Sequence, residues 1–321
     1  MDREYDPELA PMVALLPNND LSDIEAARNG LADMVAANPR VVDESGLTIE
    51  DRFVPGPPGS PEVAVRVFRP RDAAVPLPAV IYLHGGGFVM GTVDVEHGAA
   101  VAVASALEVP VVSVEYRLAP ESPFPAGIED CYAALVWMHD NAEELGIDAD
   151  RIAVLGRSAG GGLGGALALL TRDRGGPSLC FQCLGMPVLD DRLETTSMQS
   201  FVDTPLWNRP SAEISWQHYL GDDRSDVSPY AAPARASDLR DLPPAYISTN
   251  EYDPLRDEGI QYALRLLEAG VHVELHSFPG TFHGSSMIQV AAVSRRAAAE
   301  EMQALRRGLG LGLDLDPDGA S

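Results

Sequence analysis

Ser158 stands in Gly156-Arg157-Ser158-Ala159-Gly160, a G-x-S-x-G pattern. A serine hydroxyl becomes a nucleophile when a neighbouring base takes its proton. A tight turn from strand to helix lifts that hydroxyl above a sheet. The pattern alone is weak, but its context is stronger. The apolar run 151–155 reads as a strand, and a helix opens at Ala159. Glycines on both sides remove the Cβ clashes of such a turn. The helix start offers free N–H groups to developing negative charge.

Three further motifs fit around it. His84-Gly85-Gly86-Gly87-Phe88 follows the strand-like run 79–83. Consecutive glycines let backbone N–H groups converge on one point, as stabilisation of an oxyanion requires. Asp253-Pro254-Leu255-Arg256-Asp257-Glu258-Gly259 follows the strand-like run 245–250, and Phe282-His283-Gly284 follows 272–278. Every motif trails a predicted parallel strand, so all four belong at the carboxyl edge of one sheet, where open α/β sheets place their sites. Gly160-Gly161-Gly162-Leu163-Gly164-Gly165 also satisfies G-x-G-x-x-G. Its glycines fall inside the predicted helix, and no acid stands about twenty residues on, so close helix–sheet packing explains it better than a dinucleotide.

The elements that must position these residues alternate. Residues 1–50 are acidic and helix-like, with an amphipathic piece over 24–36. Extended stretches follow at 48–54 and 62–68, separated by a Pro/Gly turn at 55–59. Strands are predicted at 79–83, 109–115, 151–156, 179–186, 245–250 and 272–278. Helices are predicted at 96–107, 128–145, 159–171, 259–269 and 290–307. Apolar strands alternating with amphipathic helices mean βαβ units and a mostly parallel sheet covered on both faces. The stretch 188–240 is too long for an ordinary loop and carries Phe201, Trp207, Trp216 and Tyr219. It reads as an insertion packing over the site together with the N-terminal helices.

With these motifs assembled, the chain resembles the hormone-sensitive-lipase-like carboxylesterases of the α/β-hydrolase fold. The matching pieces run from about Val80 to Gly284: His84-Gly85-Gly86-Gly87, Tyr116-Arg117-Leu118-Ala119-Pro120-Glu121 with Phe124-Pro125-Ala126, Ser158-Ala159-Gly160-Gly161, Asp253-Pro254-Leu255 and Phe282-His283-Gly284. The order serine, aspartate, histidine is that of the fold. The resemblance implies an eight-stranded, mostly parallel sheet flanked by helices, with a helical cap. It implies Ser158 as nucleophile, His283 as base and Asp253 as orienting acid. Gly85, Gly86 and Ala159 would supply oxyanion donors, and Phe88, Trp207 and Trp216 are candidates to contact substrate. The expected reaction is hydrolysis of short- to medium-chain carboxylic esters through an acyl-enzyme, which needs water and no cofactor. The expected division is 1–50 and 188–235 as the two parts of the cap, 51–187 and 236–310 as the catalytic domain, and 311–321 as a flexible tail. Relatives also imply a homodimer through the edge strand near 272–278.

One departure stands beside the nucleophile. The family usually has an acid, or Thr in one branch, where this chain has Arg157. Arg157 is expected to pair with a nearby carboxylate. Asp257 rivals Asp253 as the triad acid, since the two share a helix face, but Asp253 lies closer to its strand end. His84 is expected to orient the glycine loop. His272 and His276 share a strand face, yet no third ligand is visible and no metal is expected. Two other readings keep the fold: a non-catalytic small-ligand receptor, or an amidase or lactonase using the same triad.

Composition removes other classes. The chain has 321 residues, 23 basic and 48 acidic side chains, and a formal net charge of −25. Every basic residue is Arg. Without Lys there is no Schiff base, no Walker A lysine and no S-x-x-K hydrolase. The charge argues against nucleic acid and anionic lipid as partners. The start, Met1-Asp2-Arg3-Glu4, is acidic where a secretion signal would be basic, and no membrane-length apolar run occurs, so a cytoplasmic protein is expected. The odd count of Cys131, Cys180 and Cys183 fits reduced thiols. Cys180 and Cys183, spaced C-x-x-C on a predicted strand, should face opposite sides.

Overall fold

The run Leu77–Leu83 (LPAVIYL) forms a strand buried on both faces. Ala79, Ile81 and Leu83 enter one hydrophobic cluster, Val80 and Tyr82 another. That division is the period-two signature of a sheet covered on each side. A computed structural model describes residues 3–16, 21–37, 42–74 and 76–312. The strands are β1 (Leu47–Val54), β2 (Val63–Pro70), β3 (Leu77–Leu83), β4 (Val111–Glu115), β5 (Ile147–Arg157), β6 (Leu179–Gly185), β7 (Ala245–Tyr252) and β8 (Val273–Phe282). They form one eight-stranded sheet in the order β1-β2-β4-β3-β5-β6-β7-β8. Only β2 runs against the others.

The helices are α1 (Ala10–Val13), α2 (Ile24–Ala37), α3 (His97–Leu107), α4 (Ala126–Asp140), α5 (Ala142–Leu145), α6 (Ala159–Arg174), α7 (Thr196–Ser200), α8 (Arg209–Leu220), α9 (Arg256–Glu268) and α10 (Ala292–Gly308). Residues of α4, α6 and α9 pack in the first cluster, residues of α3 and α10 in the second. Among the described residues, no helix is long and apolar enough to cross a membrane.

The strand order decides where the chemistry goes. From β3 the chain steps outward to β4 and then returns to lay β5 on the other side of β3. This switch point puts the loop after β3 beside the loop after β5, at the carboxyl edge. The register pairs Leu83 with Gly156, so the glycine loop and the serine turn leave the sheet as neighbours.

Several boundaries differ from the sequence reading. The sheet begins at Leu47, so the expected division at 50/51 falls inside β1. The helix expected over 128–145 is two, because Asn141 leaves the helical region and its side chain donates to Trp137 O at 2.8 Å. The strand expected at 272–278 runs on to Phe282, because a register shift lets Tyr252 pair with Phe282. Pro279 and Gly280 lie inside that strand. Gly280 takes φ +69°, and a Cβ there would come within 2.6 Å of Asp6 N. Inside the irregular segment 188–240 lie α7 and α8. Cys180 sits at a register shift between β5 and β6, and it and Cys183 both pack on the α3–α10 side, not on opposite faces. Both thiols are free, and burial pushes Cys180 up to about 11. The expected tail lies outside the described residues from 313 onward, as do Met1 and Asp2.

Candidate active site

Ser158 links β5 to α6 with φ +55° and ψ −122°, a conformation few non-glycine residues adopt. Its neighbours must be small. A Cβ on Gly156 would fall 2.1 Å from Gly160 O, and one on Gly160 would fall 2.0 Å from Leu83 O. The turn is held by its own backbone. Ser158 N donates to Gly185 O at 2.8 Å, and Ser158 O accepts from Gly162 N at 3.0 Å and Val188 N at 3.1 Å.

The hydroxyl meets a histidine from the far end of the sheet. His283 Nε2 lies 3.0 Å from Ser158 Oγ, and His283 Nδ1 lies 2.8 Å from Asp253 Oδ2. Ser158 and His283 are each 8% exposed and Asp253 is fully buried. An ionised carboxylate only accepts, so Nδ1 carries the proton and Nε2 is left as acceptor toward the serine. The carboxylate is fixed in turn. Asn250 donates to Asp253 Oδ2 at 3.1 Å and Leu255 N to Oδ1 at 3.0 Å. Asn250 escaped sequence reasoning, because a single Asn in an apolar strand carries no motif. The rival Asp257 is turned elsewhere: it accepts from Ser197 N at 2.7 Å and Arg256 Nε at 2.8 Å, holding α7 to α9.

The glycine loop packs directly against the serine turn. A Cβ on Gly85 would stand 3.2 Å from Arg157 O and 3.7 Å from Ser158 Cβ. Gly86, with φ +124°, has no room for a side chain, since a Cβ would lie 2.0 Å from Met90 O. Among the described residues, the amides of Gly85 and Gly86 have no hydrogen-bond acceptor. Ala159 is the first residue of α6, where N–H groups have no intrahelical partner. His84 does orient this loop. It is buried, stacks on Tyr116 at 4.1 Å and bonds Gly85 O through Nδ1 at 2.8 Å, while Tyr116 OH donates to His84 O at 2.7 Å. Burial lowers the His84 pKa, which keeps the ring neutral.

Segments from both ends of the predicted cap reach this loop. Arg28 of α2 donates to Val89 O at 2.7 Å and Ala119 O at 3.0 Å, and pairs with Glu121. Ser215 of α8 donates to Gly87 O. The Trp207 ring stands 5.8 Å from that of His283, and its far edge meets Gly87. Trp216 is buried 5.4 Å from Phe88, which stacks on Tyr219 at 4.1 Å.

Other sequence candidates lie outside this cluster. His276 contacts Glu300 and, at 2.9 Å, Glu274. Among the described residues, no group of three metal-ligating side chains forms. Arg157 has the carboxylate partner expected of it: it pairs with Glu301 of α10.

Glu258 anchors the start of the 188–235 insertion. It is buried, and its Oε1 accepts from Leu189 N at 2.6 Å and Asp190 N at 3.3 Å. Burial raises its pKa well above the ordinary carboxylate range, against the pull of those amides. The unfolded chain therefore loses this proton at lower pH than the folded one. The stability it contributes is full below the ordinary value and falls as pH rises toward the raised one. Glu258→Gln does not titrate. Its melting temperature relative to the parent is expected to rise between pH 5 and pH 8.5; a constant difference would contradict that.

A family profile for the α/β-hydrolase fold matches residues 80–287. The chain is 42% identical over 292 residues to the carboxylesterase NlhH of Mycobacterium tuberculosis, covering 89% of this chain and 90% of that one. It is 40% identical over 264 residues to the esterase LipI of the same organism, covering 81% of each. Among solved structures, a bacterial heroin esterase superposes with TM-score 0.93 and 53% identity, covering 95% of this chain and 98% of that one. An esterase from Pyrobaculum calidifontis superposes with TM-score 0.86 and 33% identity, covering 96% and 99%.

Proposed function

The chain belongs to the hormone-sensitive-lipase-like family of α/β-hydrolase-fold carboxylesterases, and from that premise we propose that it cleaves short- to medium-chain esters with Ser158, His283 and Asp253. It is a carboxylic ester hydrolase. The observation that carries the finer reading is the unbroken relay of contacts, 3.0 Å from Ser158 Oγ to His283 Nε2 and 2.8 Å from His283 Nδ1 to Asp253.

In this mechanism His283 takes the Ser158 proton as Oγ attacks the ester carbonyl. Asp253 keeps the imidazole in the required tautomer and stabilises the imidazolium. The amides of Gly85, Gly86 and Ala159 receive the oxyanion. One such donor is worth about 3 kcal/mol in other serine hydrolases. His283 then gives its proton to the leaving alcohol, and water, activated by the same histidine, releases the acid. Burial of the triad strengthens these interactions.

We assign α1, α2 and the 188–235 insertion to a cap over the site. Contacts of Arg28, Ser215 and Trp207 with the glycine loop support that role. Trp207, Trp216 and Phe88 are proposed to wall the substrate cleft, with Trp207 nearest the reacting atoms. A panel of p-nitrophenyl esters from acetate to decanoate tests both points. Parent activity is expected to peak at short chains. Trp207→Ala is expected to move the optimum toward longer chains, with at least a fivefold gain in the ratio of octanoate to acetate turnover. An unchanged profile would remove Trp207 from the cleft wall. The position of β8 at the edge of the sheet supports a homodimer, and the free thiols support a cytoplasmic location.

A further inference from the structure

Arg157 lies at the end of β5, one residue before Ser158, and its guanidinium is engaged on three sides. Nε donates to Glu301 Oε2 at 3.1 Å and Nη2 to Glu301 Oε1, a two-pronged pair with α10. Nη1 donates to Tyr82 OH at 3.0 Å, and Tyr82 OH donates onward to Glu96 Oε2 at 2.9 Å. The four residues come from four places: the residue before α3, the strand β3, the strand β5 and the helix α10. Tyr82 stands two residues before the glycine loop, and Arg157 directly before the nucleophile.

The site is shaped for this pair. Glu301 is 6% exposed. Gly185, at the end of β6, leaves the space it occupies: a Cβ there would lie 3.0 Å from Arg157 Cγ and 3.3 Å from Glu301 Oε2. The same Gly185 offers its carbonyl to Ser158 N at 2.8 Å. One glycine thus both accommodates the ion pair and holds the nucleophile's backbone. A planar guanidinium can bind a carboxylate with two parallel bonds and still reach a third acceptor; an ammonium cannot.

We propose that the Arg157–Glu301 pair, braced by Tyr82 and Glu96, is a positioning device. It sets the serine turn of β5 relative to the oxyanion loop of β3, so that Ser158 Oγ and the loop amides meet the same carbonyl. Arg157 touches no reacting atom. It acts through Ser158, so the inference rests on Ser158 being the nucleophile. A displacement near 1 Å at the reacting atoms is enough to cost on the order of a hundredfold in rate.

The test is steady-state hydrolysis of p-nitrophenyl acetate by the full chain, with melting temperatures taken alongside. Arg157→Ala, Arg157→Lys and Glu301→Gln are compared with the double exchange Arg157→Glu/Glu301→Arg, and Ser158→Ala is the control. Glu301→Gln preserves shape and remains informative if Arg157→Ala does not fold. The single variants are expected to lose at least tenfold in kcat with KM within twofold. Lys is expected to rescue poorly, and the exchange to recover kcat to within about fivefold of the parent. If folded Glu301→Gln keeps kcat within twofold and only melts earlier, the pair is structural and the proposal is overturned. An exchange variant that melts like the parent but stays as slow as the single variants overturns it too. If Ser158→Ala keeps full activity, the nucleophile assignment itself has failed, which is a different outcome.

Discussion

Ser158→Ala is expected to lower kcat for p-nitrophenyl acetate by about 10⁶-fold, the scale seen when the nucleophile of another serine hydrolase is removed. The reason is local. Among the described residues, no other hydroxyl bonds His283 Nε2, and Gly85 of the neighbouring loop packs beside Ser158. His283→Ala should cost a similar factor, since an unactivated serine hydroxyl is a weak nucleophile. The two losses should not add. The double variant is expected to sit within about tenfold of either single one, because the residues act as a unit. A double variant slower by the product of the two factors would mean that they work independently.

The second large effect separates two aspartates four residues apart. Asp253→Asn is expected to lower kcat by about 10⁴-fold, as the loss of the orienting carboxylate does in related triads. Asparagine keeps the shape but can turn an amide N–H toward His283 Nδ1, which favours the wrong tautomer. Asp257→Asn is expected to leave kcat within about threefold. It instead loosens the hold on Ser197 N and Arg256, so its effect belongs in the melting temperature and in KM. Side-by-side kinetics of the two variants decide the matter. Equal kcat losses would mean that Asp257 also supports His283.

Much of the site was legible because its backbone geometry demands particular residues. Gly156 and Gly160 cannot carry a Cβ, nor can Gly86, so the serine turn and the donor loop leave a glycine signature. Asp253 is favoured as the proposed triad acid by its position just after β7, and it is Asp253, not Asp257, that lies against His283 Nδ1. The sheet was legible for a similar reason: strands buried on both faces read as apolar runs.

What escaped depends on long-range partners. Glu301 is 144 residues from Arg157 and looks like any other acid on an amphipathic helix. Asn250 reads as a strand residue until Asp253 is seen beside it. The helices α7 and α8 are short and rich in Ser, Thr and aromatic residues, with little helical periodicity. Their starts are set by local caps, Thr195 for α7 and Asn208 for α8, more than by an apolar stripe. The polar stretch Ile147–Asp150 reads as a loop, yet Ile147 pairs with Leu77 and lengthens β5. The tryptophans differ as well. Trp216 packs beside the stacked pair Phe88 and Tyr219, while Trp207 reaches Gly87 and His283.

In the proposed mechanism the reaction passes through a covalent bond to Ser158. The most direct measurement is labelling with diethyl p-nitrophenyl phosphate, read by intact mass and by peptide mapping as activity decays. A single diethylphosphoryl adduct per chain is expected, located on Ser158, with residual activity falling in proportion to labelling and no adduct in Ser158→Ala. Loss of activity with the adduct on another residue, or complete labelling of Ser158 with turnover undiminished, would contradict it.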